Sequence, residues 1–382
     1  MALVLSPEEA LVRATALDFF AKRSPVAALR KLRDDKDALG FSLPLWRQMV
    51  ELGWAGFLVP EAHGGSEFGC VGLGQVMEAA GRSLAATPLL ATALIGASAL
   101  TLAGTAAQQI AHLPPLAQGQ RLMALALEER AHHAPLAIAM SAKRSGAGFR
   151  LDGEKRFVLD GHIANLLIVA ARSSDGPGER HGITLFLVPG DAAGVTRHRT
   201  FMVDSRNAAI IRFDGVEVGP DTVLGPLDGG AELLEVLLDR ARVGLAAEML
   251  GAASAAFERT LQYLKERQQF GVAIGSFQAL KHRAAAMFCA LELARSAVAA
   301  ALAALAALDA GSKDVPALAS LAKAKAGEAF HLVGNEAVQM HGGIGMTDEH
   351  EIGFFLKRAR VAEASFGDGA FHRDRYAGLM GY

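Results

Sequence analysis

A chain of 382 residues, 51% hydrophobic and 20% charged, is too long for one ordinary domain and too apolar to be disordered. A formal net charge of -2 supplies no positive field for nucleic acid or an anionic membrane surface, which excludes a non-specific polyanion binder. The two cysteines, Cys70 and Cys289, lie far apart in no metal-ligand spacing, so the expectation is no disulfide framework, no metal site and a reducing cytoplasm.

The first third reads as helices. Ser6-Pro7-Glu8-Glu9 supplies an N-cap, a proline at the first helical position and a capping-box glutamate, and apolar residues at helical spacing follow through Phe20. Glu8 and Glu9, with no basic segment ahead of an apolar run, do not read as a signal peptide. A second helix is predicted over Leu45 to Leu52, ended at Gly53. A turn follows at Val59-Pro60-Glu61 and His63-Gly64-Gly65, then a helix from Val71 to Arg82. From Ser83 to Gln120 there is no Asp, Glu, Lys or Arg, but Pro88, Gly96 and Gly104 divide the stretch. It reads as buried helices, not a membrane span. The Ala/Leu run at 297–308 is too short to cross a bilayer.

The middle changes period. Phe149 to Glu154 reads as a strand entering a turn, followed by strands at Arg156–Leu159, Leu166–Ala170, Ile183–Val188 and Ala209–Phe213. Gly161, Gly176-Pro177-Gly178, Pro189-Gly190 and Asp214-Gly215 punctuate them, a pattern for an all-β module and not for βαβ units. Long Ala/Leu-rich helices are then predicted over Ala231–Arg267, Phe277–Ala310, Pro316–Met340 and Glu349–Ala377, as in an antiparallel four-helix bundle. The expected α+β architecture is an N-terminal helical domain (1–120), a middle β-barrel or sandwich (121–228) and a C-terminal four-helix bundle (229–382).

Two segments of the bundle carry the sharpest signal. One is Arg267-Gln268-Gln269-Phe270-Gly271 with Ile274 and Phe277-Gln278. The other is Gln339-Met340-His341-Gly342-Gly343-Ile344-Gly345. With Leu52-Gly53-Trp54, Pro60-Glu61, Gly64-Gly65 and Gly153-Glu154-Lys155 before Phe157-Val158, the chain resembles the acyl-CoA dehydrogenase family along nearly its whole length. An arginine fork matches phosphate oxygens, and a glycine pair lets backbone N–H groups approach an anion. The resemblance implies FAD as cofactor, with Arg267, Phe270 and Gln278 at its pyrophosphate and adenine end and Gln339, Gly342 and Gly343 closing over it. In the family these segments reach FAD held mainly by a neighbouring subunit, so a dimer or tetramer is implied. The alternatives for the residues alone are a surface ion pair for Arg267 and an ordinary interhelical turn for the glycines.

The chain departs from the family where the chemistry is done. Removal of the α-proton of an acyl-CoA thioester needs a carboxylate within hydrogen-bond reach. The family's usual position for it falls on Phe366, before Gly367. Its minority position falls on Ala241, before Arg242, which the resemblance places at the substrate. Glu248 and Asp368 are the substitutes. Glu248 lies two turns beyond Ala241, about 10 Å along the helix axis, and its other reading is a buried ion pair. The family's Thr-Glu-Pro segment, whose hydroxyl contacts the flavin, falls on Leu127-Glu128-Glu129. Its aromatic and threonine near the flavin fall on Phe157 and Leu159, so Phe157 keeps a contact while both hydroxyls are gone.

Three functions follow from the resemblance: a self-sufficient acyl-CoA dehydrogenase using Glu248 or Asp368, a non-catalytic FAD-binding subunit of a heteromeric dehydrogenase, or a flavin oxidase or monooxygenase on the same fold. The implied setting is fatty-acid or sterol side-chain degradation. The implied partners are an acyl-CoA, a homologous chain, and an electron-accepting flavoprotein or other acceptor.

Overall fold

The computed structural model describes residues 4–307 and 313–382. The last residues of the helix predicted over 277–310, and of the Ala/Leu run ending at Leu308, lie outside them. Helix α1 (Pro7–Arg23) opens as the sequence dictates: the Ser6 hydroxyl accepts from the Glu9 N–H, and the Glu9 carboxylate accepts from the Ser6 N–H at 2.7 Å. α2 (Val26–Asp34) and α3 (Leu43–Glu51) follow, and Gly53 at φ 80° ends α3. α2 escapes the sequence reading because Pro25, with no side-chain acceptor, stands where a cap is sought. After α4 (Cys70–Arg82), the charge-free stretch forms a fully buried π-helical segment, Leu89–Gly96, then α5 (Ala97–Ala103) and α6 (Ala106–Ala117).

The β module is one eight-stranded sheet of β1 (Met123–Ala126), β2 (Ser141–Ser145), β3 (Gly148–Leu159), β4 (Leu166–Arg172), β5 (Ile183–Pro189), β6 (Val195–Phe201), β7 (Asn207–Val218) and β8 (Val223–Leu224). The order is β6-β7-β3-β2-β4-β5-β8, with β1 parallel to β4. The turn predicted at Asp152-Gly153-Glu154 is instead a bulge inside β3, and Arg156–Leu159 continues the same strand. Gly153 is required there because a Cβ would lie 2.7 Å from the Met140 side chain. Asp214-Gly215 likewise lies within β7, with Gly215 at φ 61°. The sequence reading misses β1, a short Met-Ala-Leu-Ala run, β2 (Ser-Ala-Lys-Arg-Ser), β6 (Val-Thr-Arg-His-Arg-Thr-Phe), which alternates with polar residues, and the two-residue β8.

The C-terminal helices are α7 (Gly230–Glu266), α8 (Gln278–Ala306), α9 (Val315–His341), α10 (Ile352–Ala364) and α11 (Gly369–Met380). A two-rung hairpin of β9 (Gln268–Gln269) and β10 (Val272–Ala273) joins α7 to α8. The single helix predicted over 349–377 is two, so the bundle expected as four helices carries a fifth. Phe366 at φ 57° and Gly367 at φ 107° cannot continue a right-handed helix, and Asp368 starts the next one by accepting from the Phe371 N–H.

The chain forms two compact units. One comprises Asp37–Gly69 and Thr87–Ala241. Its apolar core lies in the sheet, with Phe149, Leu151, Leu167, Phe186 and Ile211 among its buried members. Trp46 donates from its indole to the Gly119 carbonyl at 3.1 Å, tying α3 to the end of α6.

The other unit comprises Met1–Lys36, Cys70–Ala86 and Arg242–Tyr382, with α1 against α4, α4 against α8, and α9 against α8, α10 and α11. α8 is long and apolar enough to cross a membrane by length and composition, yet it packs on α4 and α9 within this unit. α4 and α7 touch through glycine. A Cβ on Gly81 would lie 2.0 Å from the Glu248 carbonyl oxygen, and one on Gly251 1.9 Å from that of Glu78. Both atoms are helix backbone, so neither can yield without moving a helix. Gly251→Ala is therefore expected to destabilise the unit by about 2 kcal/mol, within the range for overpacked cores. A denaturation midpoint unchanged from wild type would refute this contact.

Candidate active site

The break between α10 and α11 holds two consecutive left-handed residues, Phe366 at φ 57° and Gly367 at φ 107°. A left-handed non-glycine residue costs about 1–3 kcal/mol and persists only where its surroundings hold it. Here two buried cations do so. Arg242, completely buried on α7, donates from Nε to the Phe366 carbonyl at 3.2 Å, and its guanidinium lies 5.3 Å from the Phe371 ring centre. Lys323, 2% exposed on α9, donates to the carbonyls of Glu363 at 3.0 Å and Gly367 at 2.9 Å. Burial lowers the Lys323 ammonium to about 7; the Glu363 carboxylate opposes that shift, and nearby Arg242 adds to it.

The four positions considered for a base are placed as follows. Phe366 forms the turn and Ala241 is fully buried on α7; neither accepts a proton. The Glu248 carboxylate pairs with Arg358 Nε of α10 at 3.0 Å, with both side chains about nine-tenths buried. The Asp368 carboxylate caps α11 at 2.9 Å from the Phe371 N–H. Arg242, Phe366 and Asp368 thus share one locus, while Glu248 is joined to α10 through Arg358.

The two sharp motifs meet at one end of the bundle. The Tyr263 hydroxyl donates to the His341 carbonyl at 3.2 Å, and the rings stack with centroids 4.4 Å apart. Tyr263 sits one turn before Arg267, whose N–H it accepts at 2.8 Å, while His341 leads directly into Gly342. The hairpin carrying Arg267 therefore sits beside the glycine turn. Arg267 is exposed and has no ion pair among the described residues, so the surface-pair reading finds no partner. Phe270 is 90% exposed at φ 53°, edge-on to Phe277 with centroids 6.0 Å apart. Gln278, Gln339, Gly342 and Gly343 are all exposed. Gly342 has φ 65°, and a Cβ on either glycine would meet nothing within 4 Å. An exposed guanidinium, an uncovered aromatic and open glycine backbone together fit the phosphate and ring surfaces of FAD.

The other unit holds Phe157, 42% exposed at φ 51° where the β3–β7 register shifts, so a strained backbone points an aromatic ring outward. Next to it Lys155, fully buried, donates to the Glu129 carboxylate at 2.7 Å and to the Leu127 carbonyl at 3.0 Å. Burial lowers the Lys155 ammonium, and Glu129 opposes that shift. Glu128 accepts from His133 at 2.5 Å. The Leu127-Glu128-Glu129 segment thus directs its carboxylates to protein partners.

Lys323, Arg358 and Tyr263 escaped the sequence reading, and Lys155 entered it only as part of the Gly153-Glu154-Lys155 match. Lys323 left a signal, since it falls with Ala319, Ala326, Phe330 and Val333 on the buried face of α9, where a lysine is out of place.

Three family profiles match in chain order: acyl-CoA dehydrogenase N-terminal domain over residues 6–120, middle domain over 124–216 and C-terminal domain over 228–379. A probable acyl-CoA dehydrogenase, YngJ of Bacillus subtilis (strain 168), is 31% identical over 376 residues, covering 97% of both chains. Acyl-CoA dehydrogenase IpdE2 of Mycolicibacterium smegmatis is 31% identical and covers 95% of this chain and 96% of its own. A solved steroid ACAD, Tcur3481-Tcur3483, is 32% identical with a TM-score of 0.86, covering 98% of this chain and 97% of its own. Helical ends, a central sheet and these matches define an FAD-dependent oxidoreductase acting on acyl-CoA thioesters. The chain belongs to the acyl-CoA dehydrogenase family.

Proposed function

We propose that this chain is a subunit of an oligomeric acyl-CoA dehydrogenase whose Arg267–Gln278 and Gln339–Gly343 segments complete the flavin site of a homologous partner, while its own acyl site lacks a base. One observation carries this reading: the carboxylates nearest the reacting position, Glu248 and Asp368, are committed to Arg358 and to the α11 cap, while the FAD-facing segments stand open. Bound FAD supplies the hydride acceptor for the β-carbon. In this chain Arg267 would hold the pyrophosphate, Phe270 and Gln278 the adenine end, Gln339 with Gly342 and Gly343 the closing turn, and Phe157 the flavin ring. Arg242 would face the acyl substrate. The domain limits follow the same reading, at 1–120, 121–228 and 229–382.

The likeness to the Tcur3481-Tcur3483 steroid ACAD favours a hetero-oligomer and a sterol-derived or fatty acyl thioester. Likeness to dehydrogenases over nearly the full chain favours an electron-accepting flavoprotein over oxygen as the acceptor, and so disfavours the oxidase reading. Two cysteines in 382 residues, too few for a disulfide framework, suit a reducing cytoplasm.

Arg267→Ala is expected to weaken FAD retention without unfolding the chain. A charge-assisted contact is worth about 1.5–3 kcal/mol, roughly ten- to a hundredfold in affinity. The checks are flavin content after exhaustive dialysis and sedimentation velocity. Unchanged flavin in the variant, or a stable monomer that keeps its FAD, would overturn the shared-site reading.

A further inference from the structure

The turn that carries Gly342 and Gly343 is open on one side and held on the other. A Cβ on either glycine would meet nothing within 4 Å, whereas one on Gly345 would lie 2.7 Å from the Val338 carbonyl oxygen of α9. Past Gly345, the Thr347 N–H and hydroxyl both donate to the Ile344 carbonyl, at 3.1 and 2.8 Å, which ties the turn to Asp348. His350 then lies against His341, with ring centroids 4.6 Å apart, and Glu351 pairs with Arg259 of α7.

Asp348 is where a distant part of the chain takes hold of this turn. Arg30 donates to one of its carboxylate oxygens at 2.7 Å, and Arg33 donates to both, at 2.6 and 2.7 Å. Both arginines belong to α2, 318 and 315 residues earlier. The same two guanidiniums lie 4.8 and 5.0 Å from the centre of the buried Phe354 ring on α10. Hydrogen bonding from Arg33 draws the Asp348 carboxyl down to about 2 against the cost of burial, and the charges of Arg33, Arg30 and Lys357 add to it. An isolated surface pair contributes little. Two guanidinium forks on one carboxylate, backed by a buried ring, form a network in which each group orients the next. Without the carboxylate, two like charges one turn apart on α2 would repel.

We propose that Asp348 is a positioning residue for FAD: clamped by Arg30 and Arg33, it holds the Gly342-Gly343 turn in the shape that receives the cofactor, so that α2 helps to set how long the flavin stays bound. This rests on the reading of the Gln339–Gly343 segment as a flavin contact and extends it to an N-terminal helix outside both FAD motifs.

The test follows flavin fluorescence as FAD leaves the FAD-loaded oligomer after dilution. Asp348→Asn, which keeps the shape and removes the charge, is expected to release flavin about fivefold faster than wild type, the upper end for a partly exposed pair. Asp348→Glu, which keeps the carboxylate, should recover most of the difference. Arg33→Lys, which keeps the charge without the fork, should fall between wild type and Asp348→Asn. The gap between wild type and Asp348→Asn should narrow as salt rises, because salt screens the charged clamp that the amide has already lost. A purely structural aspartate would lower the urea midpoint without changing flavin release well below that midpoint. That result would overturn the proposal, as would a Glu variant no better than Asn or a gap that salt leaves untouched. Arg267→Ala is the benchmark. If it speeds release while Asp348→Asn does not, the clamp alone fails. If neither variant changes release, the reading of these segments as flavin contacts fails with it.

Discussion

Assayed alone with saturated acyl-CoA thioesters and an artificial acceptor, this chain is expected to turn over slowly or not at all. On the reading proposed above, Phe366 and Ala241 stand at the family's two base positions, and neither side chain can take an α-proton. General-base assistance contributes about 10²–10⁴-fold, so the deficit should be conspicuous across short, long and steroid-linked substrates. Acyl-CoA binding should persist, because the bonds from Arg242 and Lys323 to the carbonyls of Phe366 and Gly367 hold the turn whatever side chain stands at 366. Activity that appears on adding a homologous chain with a glutamate at the position of Phe366 or Ala241 would establish the heteromer. Robust turnover by the isolated chain would sink the baseless-subunit reading. Asp368→Asn and Glu248→Gln would then identify the base, by which of the two abolishes it.

Glu248→Gln is expected to lower the stability of the C-terminal unit by about 3–5 kcal/mol, because it leaves the Arg358 charge buried beside a neutral amide. The pair itself need not be strongly stabilising, since removing two ions from water costs much of what their attraction returns. The double change Glu248→Gln with Arg358→Met should therefore recover much of the loss. Urea denaturation of wild type, both single variants and the double variant closes the cycle, which is additive if the two side chains do not interact. A Glu248→Gln protein of wild-type stability would mean the carboxylate is not holding Arg358 and is free for chemistry.

Much of the fold was legible where local chemistry and global packing agree. The Ser6 capping box, the stop at Gly53 and the long α7, α8 and α9 are written in caps, glycines and periodicity. Reading failed where one feature has two structural meanings. Gly153 between Asp152 and Glu154 looks like a turn, but within the sheet the same freedom from Cβ makes a bulge, because Met140 packs over it. Ser365 to Asp368 falls inside the single helix read over 349–377, although Gly367-Asp368-Gly369 carries a stop and a cap. Its break comes from main-chain bonds to Arg242 and Lys323, groups more than 40 residues away in sequence. The candidate residues themselves came from motif resemblance. Their supports (Tyr263 beneath His341, Arg358 beside Glu248, Lys323 under the turn) are tertiary, and no local pattern announces them.

Arg242 and Lys323 grip the turn at Phe366 through its carbonyls, and this decouples the shape of the site from its chemistry over evolutionary time. A base at that position can be lost or regained by substitution without rebuilding the loop that carries it, because neither Arg242 nor Lys323 reads the side chain. After gene duplication, one copy is then free to drift into an accessory role while keeping a frame that still assembles with its sister. On that reading the side chain at 366 marks which of the two roles a copy has taken.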